Sequence, residues 1–157
     1  MKKIVIGISA FVCLIACSVT YYHHDEDKAA KNAIEFAQVA FVQHDSQKSY
    51  SLLPDCMQKE YSFEAYQNFI SKMHPSLYPI SLTALEYEPM AGPDIDKYVN
   101  IFLYGENGSE KFYYRLLMKG TAAKGYEVWG FFRRGDSYPP SNSRQKLKNK
   151  YSTKNWI

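Results

Sequence analysis

The densest run of potential ligands in the chain is His23-His24-Asp25-Glu26-Asp27. Imidazoles and carboxylates hold divalent metals when they converge on one point. Adjacent side chains on an extended chain point apart, so the run reads as a solvated tether and no metal is expected. Cys56 stands between Asp55 and Met57 with no neighbouring base to draw off its proton. It is expected as a small buried or half-buried residue rather than a nucleophile. His44-Asp45 at the end of the first helix, with Tyr66 and His74 further on, are groups of a type that can move protons. General acid–base work needs such a group within about 3 Å of the substrate's proton, with a pKa shifted by its surroundings. Spacing along the chain establishes neither condition. By itself, His44-Asp45 ends a helix, where an imidazole favours the negative end of the macrodipole.

The elements that must position these groups follow from periodicity. Asp25, Glu26 and Asp27 favour a helix start. Ala29, Ala30, Ala33, Ala37, Ala40 and Phe41 then recur at helical spacing, with Ile34 and Phe36 widening the face. A first helix is expected over residues 26–43. A short second helix is expected over residues 46–53, stopped by Pro54. Ser62 is an N-cap for a third over residues 63–73, whose Phe63, Tyr66, Phe69, Ile70 and Met73 share one side. His74-Pro75 ends it, because the residue before proline disfavours the helical region. Beyond Pro75 the pattern is that of strands, expected over residues 77–87, 98–104, 111–119 and 126–132. Asn107-Gly108 predicts a two-residue hairpin turn with φ > 0 at both positions. The expected fold class is α+β: N-terminal helices packed on a curved four-stranded antiparallel sheet, the long first helix filling its concave face.

At the N-terminus, Met1-Lys2-Lys3 precedes an apolar run, residues 4–16, shorter than the ~20 residues of a spanning helix. Val19, Tyr21 and Tyr22 stretch it to a marginal span. Leu14-Ile15-Ala16-Cys17 matches the lipobox at each position, so this N-terminus resembles that of bacterial lipoproteins. The resemblance implies a signal peptide over residues 1–16, cleavage before Cys17, a diacylglyceryl group on its thiol and an acyl group on the new amine. More than one acyl chain is what stable anchoring requires. Ser18, where inner-membrane lipoproteins carry Asp, implies the outer membrane facing the periplasm if the cell is Gram-negative. The alternative is an uncleaved membrane anchor. With Cys13 removed and Cys17 acylated, Cys56 is left as a lone free thiol and no intramolecular disulfide can form. Residues 17–26 read as the tether.

The order of elements over residues 27–132 resembles the NTF2-like superfamily, a cystatin-like α+β cone. The likeness is carried by the helix from Ala29-Ala30-Lys31 to Phe41, the break at His44-Asp45, and Ser49-Tyr50-Ser51-Leu52-Leu53. It also rests on the Ser62-Phe63-Glu64-Ala65-Tyr66 helix and the closing strand Gly125-Tyr126-Glu127-Val128-Trp129-Gly130-Phe131. Enzymes of that superfamily place an Asp, His or Tyr at the open end of the cone for proton transfer. The resemblance therefore makes His44, Asp45, Tyr66 and His74 pocket candidates. Folds of this kind host isomerases, dehydratases, binding modules and secretion-system scaffolds, and the fold does not choose among them.

Residues 133–157 hold seven Lys/Arg against Asp136, a net +6, whereas residues 17–132 hold ten Lys/Arg and fifteen Asp/Glu, a net −5. With Pro139-Pro140, Ser and Asn and few apolar residues, 133–157 reads as a basic, disordered tail. An exported chain rarely meets nucleic acid, which is not expected as a partner. The tail's charge suits anionic envelope polymers, phospholipid headgroups or an acidic protein. The favoured reading is a lipid-anchored envelope protein, membrane-bound through Cys17, whose domain binds an envelope protein or small ligand without cofactor or catalytic residue. Two alternatives stand beside it. One is an isomerase- or dehydratase-type enzyme using the cone pocket; the other is a bitopic secretion-apparatus component. An apolar pocket with convergent His or Asp favours the enzyme, and a filled cone with an exposed aromatic face favours binding.

Overall fold

The computed structural model describes residues 24–91, 97–135, 137–138 and 141–156. The expected signal peptide, Cys17 and the first part of the tether lie outside the described residues. The chain forms α1 (Glu26–Ala37), α2 (Ser46–Ser51), α3 (Asp55–Glu60) and α4 (Phe63–Met73). The strands β1 (Ser81–Pro89), β2 (Tyr98–Asn107), β3 (Glu110–Thr121), β4 (Gly125–Arg134) and β5 (Gln145–Ser152) follow. They make one antiparallel five-stranded sheet in the order β4-β3-β2-β1-β5. The fold class is α+β, as the periodicity predicts, but with five strands rather than four.

α1 is the organising helix. The Asp25 side chain caps its start, accepting from the Lys28 amide at 2.9 Å. Ala29, Ala30, Ala33 and Ala37 are wholly buried. Their single methyl groups let the helix backbone lie close to the sheet, while Ile34 and Phe36 fill the space on either side. The helix then widens into a π-turn over Gln38–Val42, in which the Gln43 amide donates to the Gln38 carbonyl at 2.8 Å. Thus the expected extent to Gln43 is correct, and its last turn is of a wider pitch.

His44 ends this helix with φ 59°, the left-handed conformation, and is the sole non-glycine residue so placed among the described residues. Asp45 then caps α2 by accepting from the Lys48 amide at 2.9 Å. Ser62 caps α4 as expected, accepting from the Ala65 amide. α3 was not expected; it is short and follows Pro54, whose fixed φ suits a helix start. Cys56 lies on it and is exposed, contrary to the expected burial, because α3 buries none of its residues fully and packs through Met57.

On the sheet face covered by α1, alternate residues such as Leu82, Ile101, Leu103, Leu116 and Met118 are fully buried. Bulges at Leu85 in β1 and Trp129 in β4 interrupt the ladders. The β2–β3 hairpin pairs Asn107 with Glu110, so its two-residue turn is Gly108-Ser109, not Asn107-Gly108. Only Gly108 has positive φ, +60°. Asn107 closes the strand instead, its side-chain amide donating to the Tyr78 carbonyl at 2.8 Å.

The disordered tail is the largest correction. β4 runs to Arg134, and beyond it Tyr138 and Arg144 lie on the sheet's outer face, away from α1. There the Tyr138 ring lies 4.9 Å from Phe102, and its hydroxyl reaches the Leu103 carbonyl at 2.7 Å and that of Tyr114. The Arg144 guanidinium covers Phe102 at 4.3 Å and pairs with Glu86 at 3.5 Å. β5 adds to the free edge of β1, from Tyr87↔Gln145 to Thr83↔Ser152, with Leu147 and Tyr151 packed on the core. Thr153 completes the edge by accepting from the Leu82 amide at 2.8 Å. An edge strand needs apolar side chains on one side only, and lysines on the other discourage further pairing. High charge is therefore compatible with order here.

Candidate functional site

The residues expected to gather in a pocket are divided by the core. His44 is exposed, its ring 3.9 Å from that of Tyr78, and Asp45 is spent as a helix cap. His74 lies on the other side of Tyr78, stacked on it at 4.3 Å and buried. The two histidines thus flank one tyrosine. Tyr66 stands apart, beyond Phe41 and Phe131, and donates to the Ser49 hydroxyl at 2.7 Å. Ser49 in turn donates to the Asp45 carbonyl at 2.8 Å, tying α4 to α2.

His74 terminates α4, and both its ring nitrogens are engaged. Nδ1 lies 3.0 Å from the Ile70 carbonyl, which can only accept, so the proton sits on Nδ1. Nε2 then accepts from the Tyr114 hydroxyl at 2.5 Å. Burial lowers the His74 pKa to about 4, and the nearby Arg133 cation adds to the effect against the opposing Ile70 bond. Burial also raises the Tyr114 pKa well above the usual phenol range. Tyr66 is likewise pushed up to about 12 by burial, opposed by its bond to Ser49. All three are therefore neutral near pH 7, each with its partner inside the fold. Arg133 closes this end of the core, donating to the Met73 carbonyl at 2.7 Å and pairing with Glu110 at 2.5 Å.

The interior between α1 and the sheet is filled with rings. Phe41 stacks on Tyr114 at 4.6 Å and meets Phe36 and Phe131 edge-on or tilted at 5.9 and 5.8 Å. The accessible concavity is elsewhere, between α3–α4 and the edge strand β4. It is an open groove of about 650 Å³ lined by Leu53, Met57, Tyr61, Phe69, Phe131 and Phe132, with Lys72 and Asn68 as polar members. α4 buries only Tyr66 and Ile70 fully, which leaves Phe69 at 45% exposure although its ring is 5.4 Å from Phe131. Phe132 is 44% exposed from the opposite face of the edge strand, so the groove wraps around the sheet edge. No imidazole or carboxylate lines it. Such walls hold an apolar or aromatic group, with the Lys72 ammonium available to an anion or carbonyl. A shallower hollow of about 430 Å³ lies by His44, Leu77, Tyr78 and Ile80.

Among the described residues, no group of three or more His, Cys, Asp or Glu is placed to hold a metal ion. His24, read from the sequence as part of a free tether, is instead buried, with Nδ1 3.2 Å from the Tyr126 hydroxyl. The same hydroxyl accepts from the Asp25 amide at 2.8 Å, so the tether ends before His24. His23 lies outside the described residues. Helical spacing puts Phe69 on the packed side of α4, so the groove is not legible from periodicity. Its signal was an apolar face on α4 broader than one stripe can bury. No helix among the described residues is long and apolar enough to cross a membrane. Comparison with protein-family models, curated proteins and solved structures finds no match to this chain.

Proposed function

We propose that this chain is a lipid-anchored envelope protein, acylated at Cys17, whose NTF2-like domain binds an apolar or aromatic group of a partner without catalysing a reaction. The observation that carries the binding reading is the contrast between the two concavities. The ring-filled interior holds the imidazole and phenol groups with their polar atoms engaged, whereas the groove beside β4 offers aromatic walls without an acid or base. The alanine stripe of α1 against one sheet face supports the cone, and the Leu14-Ile15-Ala16-Cys17 run supports the anchor.

A dye that reports on apolar surfaces tests the groove. Anilinonaphthalene sulfonate should bind there and change the fluorescence of Trp129, which borders it. Ala65→Trp, which fills the groove from the exposed side of α4, should weaken that binding at least about tenfold. Equal binding by both proteins would remove the groove from consideration. For the anchor, Cys17→Ser should abolish palmitate incorporation and leave a slower, uncleaved band on a gel. Label retained at the N-terminus of that variant would refute acylation of Cys17.

A further inference from the structure

We propose that Lys146, Lys148 and Lys150 of β5 form a contact site for the anionic phospholipid headgroups of the membrane that carries the protein. This rests on the anchored reading given above and adds a second, electrostatic attachment to it.

The lysines recur at every second position of the edge strand and are exposed, while Leu147 and Tyr151 pack on the core. Among the described residues, none of the three takes part in an ion pair. Glu86, opposite Lys146 in the ladder, pairs with Arg144 at 3.5 Å. Asp27 accepts from the Asn149 amide at 2.8 Å. Lys31, exposed on α1 with its ammonium 5.8 Å from the Tyr151 ring, extends the positive surface.

Placement then selects the occupant. The Asn149–Asp27 bond and the Lys31–Tyr151 contact set β5 beside the first turns of α1, with the lysines at the alternate positions of the strand. His24, the first described residue after the anchor segment, stands three residues before Asp27 at this end of α1, although Tyr126, which holds it, belongs to β4 at the opposite edge of the sheet. Six residues lie between Cys17 and His24, a span of seven steps that reaches at most about 25 Å. The anchor therefore keeps this edge, rather than a remote face, within reach of the headgroups. A lysine at an anionic surface strengthens partitioning roughly fivefold, and a basic patch is an established complement to acyl chains. Edge protection alone would explain lysines on β5 but not their alignment with the point of attachment.

The full chain, reconstituted into vesicles of phosphatidylcholine alone or mixed equally with phosphatidylglycerol, tests the contact. Lysine acylation by a water-soluble active ester would be read residue by residue by mass spectrometry. Labelling of Lys146, Lys148 and Lys150 should slow roughly fivefold on the anionic vesicles and recover in high salt, with Lys59 and Lys72 as unchanged controls. Equal rates on both vesicles overturn the proposal. Protection by polyglutamate but not by anionic vesicles overturns it in favour of an acidic protein. If Cys17→Ser shows that the anchor is not acylated, the uncleaved apolar N-terminus still holds the chain on the vesicles. The lysine rates then remain readable, so the two failures are separable.

Discussion

Replacing His74 with phenylalanine separates what its ring fills from what its nitrogens hold. Phenylalanine preserves the stacking between Phe41 and Tyr78 but leaves the Tyr114 hydroxyl without an acceptor. A buried hydroxyl stripped of its partner costs about 1–3 kcal/mol, so His74→Phe should lower the unfolding free energy by that amount at neutral pH. The double variant with Tyr114→Phe removes both polar partners and should recover most of the loss. Acid adds an independent signature. The folded-state pKa of His74, about 4, lies below its ordinary value of 6.5. Below 6.5 the unfolded chain takes up a proton that the folded chain refuses, so stability falls with pH until the folded imidazole also protonates near 4. Linkage puts this loss at about 1–2 kcal/mol between pH 7 and pH 5, with some allowance for solvent screening. Urea unfolding at both pH values, followed by circular dichroism, measures all of these quantities. An unchanged pH slope in His74→Phe, or a double variant that loses the sum of two single penalties, would refute the buried neutral pair.

Gly108→Val should cost about 1–2 kcal/mol or more in thermal or urea unfolding, because a side chain there meets no neighbour and the strain comes from φ +60° alone. Gly108→Asn, which tolerates that region, should cost visibly less. Deleting residues 137–157 should lower the melting temperature by many degrees, since it removes Tyr138, β5 and Thr153 together. Tyr138→Phe alone should cost about 1–2 kcal/mol by losing its bonds to strand carbonyls. A truncated protein that melts like the intact one would show that the segment does not support the sheet. Ala33→Leu places a larger side chain where α1 meets the sheet at 0% exposure, and overpacking should cost about 1–3 kcal/mol in the same assay.

α1, α2 and α4 were legible because their signals are local, whereas the short α3 was not. The alanine spacing fixed the buried stripe of α1, and Ser62 with the His74-Pro75 break bounded α4 at the residues observed. The hairpin was legible to within one residue. Asn107 prefers its bond to the Tyr78 carbonyl, a partner twenty-nine positions away that no turn rule contains. Composition misled at the C-terminus. Net charge measures what a free segment would do, yet Leu147, Tyr151 and Tyr138 suffice to fasten this one to a sheet that already has a bare edge. The site was the least legible part. Nothing near His74 in sequence announces Tyr114, forty residues on, as the donor to its ring. Without that partner, a histidine held inside the fold and one lining a pocket look alike.

The place of β5 in the sheet orders the assembly of the molecule. β1 lies between β2, its near neighbour in sequence, and a strand whose Ser152 is sixty-nine residues beyond Thr83. During synthesis, the β1–β2–β3–β4 meander can form from adjacent segments while one side of β1 still presents unpaired amides and carbonyls. Closing so long a loop is slower than forming a hairpin, so that side stays open longest. Leu85, 41% exposed even in the finished fold, sits on it. An open strand edge with apolar side chains is where copies of a chain adhere to one another. β5 thus closes this edge, and a chain without it should present a sheet edge ready to pair with its neighbour.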